Sequence, residues 1–330
     1  MPRVTKFNNI LLTGVPRSGT TWASHVLGLS PGTTLIHEPD NEINNVPGFF
    51  AKHQLHRMPY LTADMNLTGY SNFWRLIFDG CSFPKNLRLN TLYLLVMDFS
   101  RNLIGKDIFF RYMSYTYLLR GINSKDTAAP VRVIPQKHGA QNSKIIKSVH
   151  AGLSLSYLDA HFHPKILLLF RHPASVVSSY LRLNMPDRDR KVYLQEALVD
   201  DYLLPYLPKI QELQEPLSFM GLQVAIFYYV WEQLLKSHTH WISISHEDLC
   251  EHPIERYQEL YSKLNLIWCK SVEDYLHQHN RQGSGYAINR VASKEINKWR
   301  NELSSAQINS IRKGYSILQV QHYNDFQFEN

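Results

Sequence analysis

The chain has 330 residues, of which 44% are hydrophobic and 19% are charged. This composition excludes an intrinsically disordered chain, which combines low hydrophobicity with a high net charge. The formal net charge of +7 favours an anionic partner such as a phosphorylated cofactor or an acidic glycan. The three cysteines form no CxxC pair, which argues against a disulfide framework or a structural zinc site.

The sequence also argues against two kinds of larger partner, the membrane interior and nucleic acid. No apolar run approaches the roughly 20 residues of a membrane span. The basic residues are scattered and form no run of five or more. We therefore expect a cytoplasmic protein without stable membrane insertion and without a nucleic-acid partner.

The first forty residues predict a strand, a loop, a helix and a second strand. Ile10 to Thr13 is a short apolar run typical of a buried strand. Residues 14–19 are rich in Gly, Pro and Ser, and Thr20 to Leu29 has helical apolar spacing. Thr33 to Ile36 predicts the second strand. A strand–helix–strand unit of this kind requires a parallel sheet with a right-handed crossover.

Residues 41–143 have little regular pattern, and we expect a mainly helical insertion there, with helices over 87–103 and 109–119. Residues 166–170 then form a continuous apolar run, as expected of a strand buried on both faces. The remaining predicted elements are strands at 144–147 and 241–245 and helices that begin at Pro173, Pro253 and Ser304. No linker divides the chain. The sequence therefore predicts one α/β domain over residues 1–330, with a central parallel sheet flanked by helices.

The segment from Gly14 to Thr21 reads GVPRSGTT and lies where a strand leads into a helix. At such a junction, backbone N–H groups and the positive end of the helix dipole meet at one point, which suits a phosphate. The lysine of the triphosphatase motif GK[ST] is absent, because Thr20 follows Gly19. Arg171 follows the apolar strand, where such enzymes place an acidic residue for magnesium. These features predict a nucleotide with separated monophosphates, bound without metal.

Two motifs resemble those of the sulfotransferases that use 3′-phosphoadenosine 5′-phosphosulfate (PAPS). Residues 16–22 (PRSGTTW) resemble the family's 5′-phosphosulfate loop, and residues 171–180 (RHPASVVSSY) are similar to its 3′-phosphate motif. Weaker similarity is present at 245–249, where His246 replaces the usual Tyr, and at 298–300. The resemblance implies a P-loop-like fold, PAPS as co-substrate and 3′,5′-ADP as product.

The resemblance also implies the residues that bind the cofactor. Arg17 is expected at the phosphosulfate, Arg171 and Ser179 at the 3′-phosphate, and Trp22 on the adenine, although a core tryptophan also fits the position of Trp22. Lys147 is a further candidate phosphate contact. The complete set of predicted cofactor-binding residues is Pro16, Arg17, Ser18, Gly19, Thr20, Thr21, Trp22, Arg171, Ser179, Lys294 and Lys298.

Glu38 is the first candidate for the general base that takes the proton of the acceptor hydroxyl. It follows the predicted second strand, at the sheet edge where the phosphate loop opens. The pair Glu38-Pro39 is similar to the Glu-Pro element of many carbohydrate and bacterial sulfotransferases, whose glutamate is taken as the base. Pro39 is expected to keep the backbone of Glu38 extended. Arg17 and Lys147 complete the predicted catalytic group.

His150 is the alternative base. The segment Lys147-Ser148-Val149-His150 is similar to the Lys-Thr-His element of cytosolic sulfotransferases, with one additional residue. That insertion turns the side chain elsewhere, so a structural histidine also fits the position. His37 is a third candidate, directly before Glu38.

Several functions stay open at this point. We favour sulfuryl transfer to a hydroxyl of a carbohydrate or glycolipid, with residues 41–143 on the acceptor side. A peptide tyrosine, a phenol or an alcohol is the alternative acceptor, with His150 as base. A small-molecule kinase shares the loop but lacks the lysine. A non-catalytic protein that binds an acidic glycan, a lipid or a protein partner also fits the charge of +7.

Overall fold

A six-stranded sheet forms the centre of the computed structural model, which describes residues 8–42, 45–52, 54–79, 132–135, 143–184, 192–279 and 296–324. The strand order is β3-β2-β4-β1-β5-β6. The strands are β1 (Asn8–Gly14), β2 (Thr33–His37), β3 (Arg132–Pro135), β4 (Ser143–Lys147), β5 (Lys165–Phe170) and β6 (Ile242–Ser245).

The neighbouring strands β2, β4, β1, β5 and β6 run parallel. In the register, Leu11 lies beside Ile146 of β4 on one side and Ile166 of β5 on the other. The prediction of a central parallel sheet is confirmed. Strand β3 pairs antiparallel with β2 at the edge of the sheet, so the expectation of a mainly helical insertion missed a strand. Four residues ending in proline carry too short a pattern to predict a strand, and an edge tolerates proline.

The helices described are thirteen in number, and those that position the site follow β1, β5 and β6. They are α1 (Thr20–Leu27), α2 (Val46–Ala51), α3 (Thr68–Asp79), α4 (Leu155–Phe162), α5 (Pro173–Arg182), α6 (Glu196–Leu198), α7 (Leu207–Gln211), α8 (Pro216–Ser237), α9 (His246–Glu251), α10 (Pro253–Leu264), α11 (Lys270–His279), α12 (Lys298–Glu302) and α13 (Ser305–Tyr315). Short 3₁₀ turns lie at 151–153, 192–194, 204–206 and 316–318, and a π-helical turn spans 199–203.

Helices cover both faces of the sheet. Successive strand residues point to opposite faces, so Leu11 and Leu168 enter one buried core while Leu12 and Leu169 enter the other. The first core contains residues of α3, α4 and α8, and the second contains residues of α1, α10 and α11. Burial on both faces explains why the strand at 166–170 is apolar throughout.

The predicted helix starts agree with the structure. Helices α5 and α10 begin at Pro173 and Pro253, where the missing N–H of proline costs nothing. Helix α13 begins with a capping box between Ser304 and Gln307. The helices expected at 87–103 and 109–119 lie outside the described residues. In the part of the chain that is described, no helix has the length and apolar character needed to cross a bilayer.

Candidate active site

The segments that follow the parallel strands meet at one edge of the sheet, because parallel strands end on the same side. Ligands of open α/β sheets bind at this edge. The segments are the loop 14–19 after β1, Glu38 after β2, residues 148–150 after β4, Arg171 after β5 and the start of α9 after β6.

The loop after β1 is compact and requires glycine at two positions. A Cβ at Gly14 would lie 2.9 Å from the carbonyl oxygen of Leu169 and closer still to Ser18 Oγ. Gly19 has a φ of 94°, and a Cβ there would lie 2.5 Å from Nδ1 of His246. Gly19 is the residue before α1, whose first N–H groups receive no side-chain cap from any residue that the structure describes. The start of α1 therefore offers uncapped donors and a positive dipole end to an anion.

Arg17 joins this loop to the motif on β5 and α5. Its Nε donates to Ser179 Oγ over 3.1 Å. The guanidinium of Arg171 in turn donates from Nη1 to the carbonyl oxygen of Arg17 over 2.9 Å. Arg17 adopts a φ of 76°, a conformation that is costly for a residue with a Cβ. The two predicted anion-binding motifs, far apart in sequence, are therefore in direct contact.

Each of these two motifs contains a buried polar side-chain atom that could form a hydrogen bond with a ligand. Ser18 Oγ and Arg171 Nε have no hydrogen-bond partner within the described ranges. Arg171 as a whole is only 8% exposed. A buried polar group without a partner costs about 1–3 kcal/mol, so atoms of this kind are expected where a ligand completes the hydrogen bonding. A guanidinium and a hydroxyl are suitable donors for phosphate oxygens.

Two histidines near Arg171 are uncharged. Burial, with smaller contributions from Arg300 and Arg171, lowers the pKa of His172 to about 3. Burial and the Arg171 cation likewise hold the pKa of His246 well below its usual range. The positive charge beside the phosphate loop at neutral pH therefore comes from the arginines, because both imidazoles are neutral there.

Glu38 is held by contacts from the segment after β4. Its backbone N–H donates to the carbonyl oxygen of Lys147 over 2.7 Å. Its carboxylate accepts hydrogen bonds from Lys147 Nζ and, over 3.2 Å, from the backbone N–H of Val149. The φ of Glu38 is 48°, so the expectation of an extended backbone before Pro39 was wrong. The three tertiary contacts fix this conformation and offset its cost of about 1–2 kcal/mol.

The protonation of Glu38 reflects two opposing effects. Burial raises the pKa, but the nearby Lys147, His150 and His37 outweigh it and lower the pKa of Glu38 to about 2. Glu38 is therefore a carboxylate at neutral pH, and Lys147 is the main reason. His37 ends β2, directly opposite Lys147 in the parallel register.

His150 lies in a buried charged cluster next to this pair. Its Nδ1 is 3.2 Å from Glu42 Oε2 and 3.1 Å from Lys52 Nζ, and its Nε2 is 3.4 Å from Arg57 Nη2. Lys52 is 4% exposed and also donates to Glu42 over 2.7 Å. Both ring nitrogens of His150 thus face charged side chains, and the ring is oriented by Glu42.

A match with known sequences decides the family. The model of the sulfotransferase family matches residues 9–270, which is most of the chain. The chain belongs to the sulfotransferase family. The phosphate loop, Glu38, His150 and Arg171 all lie inside the matched region.

Several solved structures similar to this chain are sulfotransferases. They include the sulfotransferase domain of the curacin biosynthetic pathway (16% identity, 93% of this chain and 96% of that chain, TM-score 0.42). The sulfotransferase domain of the Synechococcus PCC 7002 olefin synthase is 15% identical to this chain. The match covers 95% of each chain and has a TM-score of 0.43. Mouse sulfotransferase SULT7A1 complexed with PAP is 13% identical to this chain. The match covers 96% of this chain and 88% of that chain and has a TM-score of 0.44. These scores are low, so the assignment rests on the family model. No curated protein matches the chain.

The other predicted cofactor residues of this sulfotransferase are placed as follows. Thr20 is buried and Thr21 is exposed at the start of α1. Trp22 is half-buried, with its ring edge-on to Tyr257 at 5.4 Å between centroids. Lys298 lines the same small pocket as Arg171, and its Nζ is 3.8 Å from Glu302. Lys294 lies outside the described residues, and Pro16 is half-buried in the loop.

Four charged residues near the predicted base were missed from the sequence. Asp40 is fully buried and accepts a hydrogen bond from Ser148 Oγ over 2.6 Å. Burial raises the pKa of Asp40, against the opposing effects of Lys52 and His150. The only available signal was a pair of acidic residues two positions apart after β2. The missed residues are Asp40, Glu42, Lys52 and Arg57.

Proposed function

We propose that this sulfotransferase moves a sulfuryl group from PAPS to an acceptor hydroxyl and releases 3′,5′-ADP. The observation that carries the proposal is the contact of Arg17 with Ser179 and of Arg171 with Arg17. It brings the two predicted anion-binding motifs into contact, and PAPS has two separate anionic ends. The α1 amides, Arg17, Thr20 and Thr21 would hold the phosphosulfate.

The other end of the cofactor would be held by the second motif. Arg171 and Ser179 would bind the 3′-phosphate, and the buried Arg171 Nε, which has no hydrogen-bond partner among the described residues, supports this role. Lys298 lines the same pocket as Arg171 and would be a further phosphate contact. Lys294, which lies outside the described residues, stays a prediction from the sequence. Trp22 would contact the adenine with the part of its ring that Tyr257 and His246 leave uncovered. Bound there, PAPS supplies the activated sulfuryl group.

Glu38 is the base in this proposal. The acceptor oxygen bonds to sulfur, the bond from sulfur to the leaving phosphate oxygen breaks, and the acceptor proton goes to Glu38. Pairing with Lys147 makes Glu38 a weak base, whereas burial alone would make it a stronger one. A shift of Lys147 towards the leaving phosphate would therefore both stabilise developing charge and raise the basicity of Glu38.

The contacts of His150 weigh against its use as the base, since both ring nitrogens already face Glu42, Lys52 or Arg57. We propose a carbohydrate or glycolipid hydroxyl as acceptor, on the similarity of Glu38-Pro39 to the Glu-Pro element of carbohydrate sulfotransferases. A peptide tyrosine, phenol or alcohol with His150 as base is the alternative that the experiment below separates.

Calorimetric titration with 3′,5′-ADP and 5′-AMP, without magnesium, tests the cofactor. We expect 3′,5′-ADP to bind the more tightly of the two. Binding of Mg·ATP with hydrolysis, and no binding of 3′,5′-ADP, would instead support a kinase. A panel of sugar, glycolipid, peptide, phenol and alcohol acceptors with sulfur-labelled PAPS, followed by mass analysis, then identifies the acceptor.

Two variants identify the base. Glu38→Gln should bind 3′,5′-ADP normally and lose turnover by roughly 10²–10⁴-fold, the usual contribution of a general base. The matched variant His150→Gln should retain more turnover than Glu38→Gln. The reverse order would assign the base to His150.

A further inference from the structure

The main chain around Arg171 is fixed by a side chain from helix α8. The hydroxyl of Tyr228 accepts a hydrogen bond from the Arg171 N–H over 2.7 Å and donates one to the Arg171 carbonyl oxygen over 2.6 Å. Tyr228 is fully buried, and this burial raises its pKa, so the hydroxyl stays protonated. One side chain thus satisfies both backbone groups of Arg171.

The residue after Arg171 is held from two further elements. Glu247, on α9, accepts a hydrogen bond from the His172 N–H at Oε1 over 3.0 Å. Its other oxygen accepts one from the hydroxyl of Tyr323 over 2.7 Å. The ring of Tyr323 also packs edge-on against the His172 ring, with 5.4 Å between centroids. Tyr323 therefore acts on His172 both directly and through Glu247.

The residue before Arg171 is covered by the same segment that carries Tyr323. The ring of His322 stacks on Phe170 with centroids 3.9 Å apart and planes 6° apart. Glu232, on α8, accepts from the His322 backbone N–H over 2.8 Å and lies 2.7 Å from His322 Nδ1. Residues 170–172 are thus held in place by five residues, which we call the clamp: Tyr228, Glu232, Glu247, His322 and Tyr323.

The clamp surrounds the residue whose position matters most for the 3′-phosphate. A guanidinium that binds phosphate with two hydrogen bonds tolerates errors of only about 0.5 Å and 10–20°. Arginine also loses considerable side-chain freedom when it is ordered. A main chain that is fixed in advance lowers the conformational entropy lost when the nucleotide binds.

We propose that Tyr228 and Tyr323 are positioning residues for Arg171, and that through it they set the preference for a nucleotide with a 3′-phosphate over one without. The inference rests on the proposed function, because it assigns the 3′-phosphate to Arg171. Neither tyrosine belongs to a cofactor motif. Both act from elements far from Arg171 in sequence, α8 and the segment after α13.

The test uses tyrosine to phenylalanine variants, which remove only a hydroxyl. We expect Tyr228→Phe to reduce the ratio of 3′,5′-ADP affinity to 5′-AMP affinity by about tenfold, since two hydrogen bonds are lost, and Tyr323→Phe by about threefold. The control is Tyr206→Phe, whose hydroxyl bonds Tyr229 and which should leave the ratio unchanged. In turnover assays, KM for PAPS should rise while kcat stays near that of the wild type.

A purely structural role predicts a different pattern. A lower melting temperature with an unchanged affinity ratio in both variants would overturn the proposal. If Tyr228→Phe does not fold, the Tyr323→Phe variant, which changes a partly exposed residue, still tests the proposal through its ratio of 3′,5′-ADP affinity to 5′-AMP affinity.

A separate measurement distinguishes this failure from failure of the proposed function. Wild-type protein that binds 3′,5′-ADP no better than 5′-AMP would refute the function. Hydrogen exchange at the Arg171 and His172 amides then still tests the clamp. Exchange in Tyr228→Phe that is at least about tenfold faster than in Tyr206→Phe supports it, and equal exchange overturns it.

Discussion

Replacing Arg171 with alanine tests the assignment of the 3′-phosphate most directly. Arg171 is only 8% exposed, so water replaces its hydrogen bonds poorly. Two charge-assisted hydrogen bonds to a phosphate, each of about 1.5–3 kcal/mol, give a loss of at least about 3 kcal/mol. That loss corresponds to a rise of roughly 150-fold in the Kd of 3′,5′-ADP.

The same substitution also removes a bond that both nucleotides depend on. Arg171 supports the phosphate loop through the hydrogen bond to the Arg17 carbonyl oxygen. Its loss, about 1 kcal/mol, should weaken both nucleotides by roughly fivefold. Because this fivefold loss is common to both nucleotides, it cancels in their ratio, and the preference for 3′,5′-ADP over 5′-AMP should drop by about 150-fold.

Calorimetric titration of each nucleotide into wild type and variant measures this difference, with melting temperatures as a check on folding. Arg256→Ala is the matched control, because Arg256 forms an exposed pair with Glu259 on α10. It should change neither Kd by more than about twofold. Equal losses for the two nucleotides in Arg171→Ala would refute the reasoning and remove Arg171 from the 3′-phosphate.

Two further predictions concern the phosphate loop and the base. Gly19→Ala should destabilise the protein by at least about 1–2 kcal/mol in urea denaturation and weaken nucleotide binding, because of the φ of 94° and the close His246 ring. Gly69→Ala, with open space around it, is the control and should be neutral; equal losses would contradict the argument. The fold lowers the pKa of Glu38 to about 2, from an ordinary 4.5. Its stabilisation is therefore complete above about pH 4.5 and lost as pH falls towards 2. The stability gap between wild type and Glu38→Gln should shrink on acidification, and a constant gap would contradict this.

The ion pair of Glu38 and Lys147 links cofactor and acceptor in the proposed reaction. The pair is buried, with side-chain exposures of 10% and 5%, so each charge depends on the other. Breaking it by moving Lys147 alone would leave a buried carboxylate that takes up a proton readily. In the proposed reaction, this coupling would place the proton-accepting step after the cofactor has engaged Lys147.

The local order of elements could be read from the sequence because short-range rules determine it. The apolar run at 166–170, the glycines at 14 and 19 and the proline at 173 each specify a strand, a tight turn or a helix start within a few residues. The parallel sheet follows from their alternation. The resemblance of residues 16–22 and 171–180 to family motifs then pointed to the family that the sequence match identifies.

Long-range geometry was decided only by the tertiary structure. That Arg17 bonds Ser179, that Glu38 adopts a positive φ against the preference imposed by Pro39, and that β3 joins the sheet edge all depend on contacts between distant segments. Helix α8 went unpredicted, so its contact with Arg171 was invisible beforehand. Sequence patterns report a residue's preferences towards its neighbours along the chain. The partners that fix a catalytic side chain are neighbours in space, and only folding brings them there.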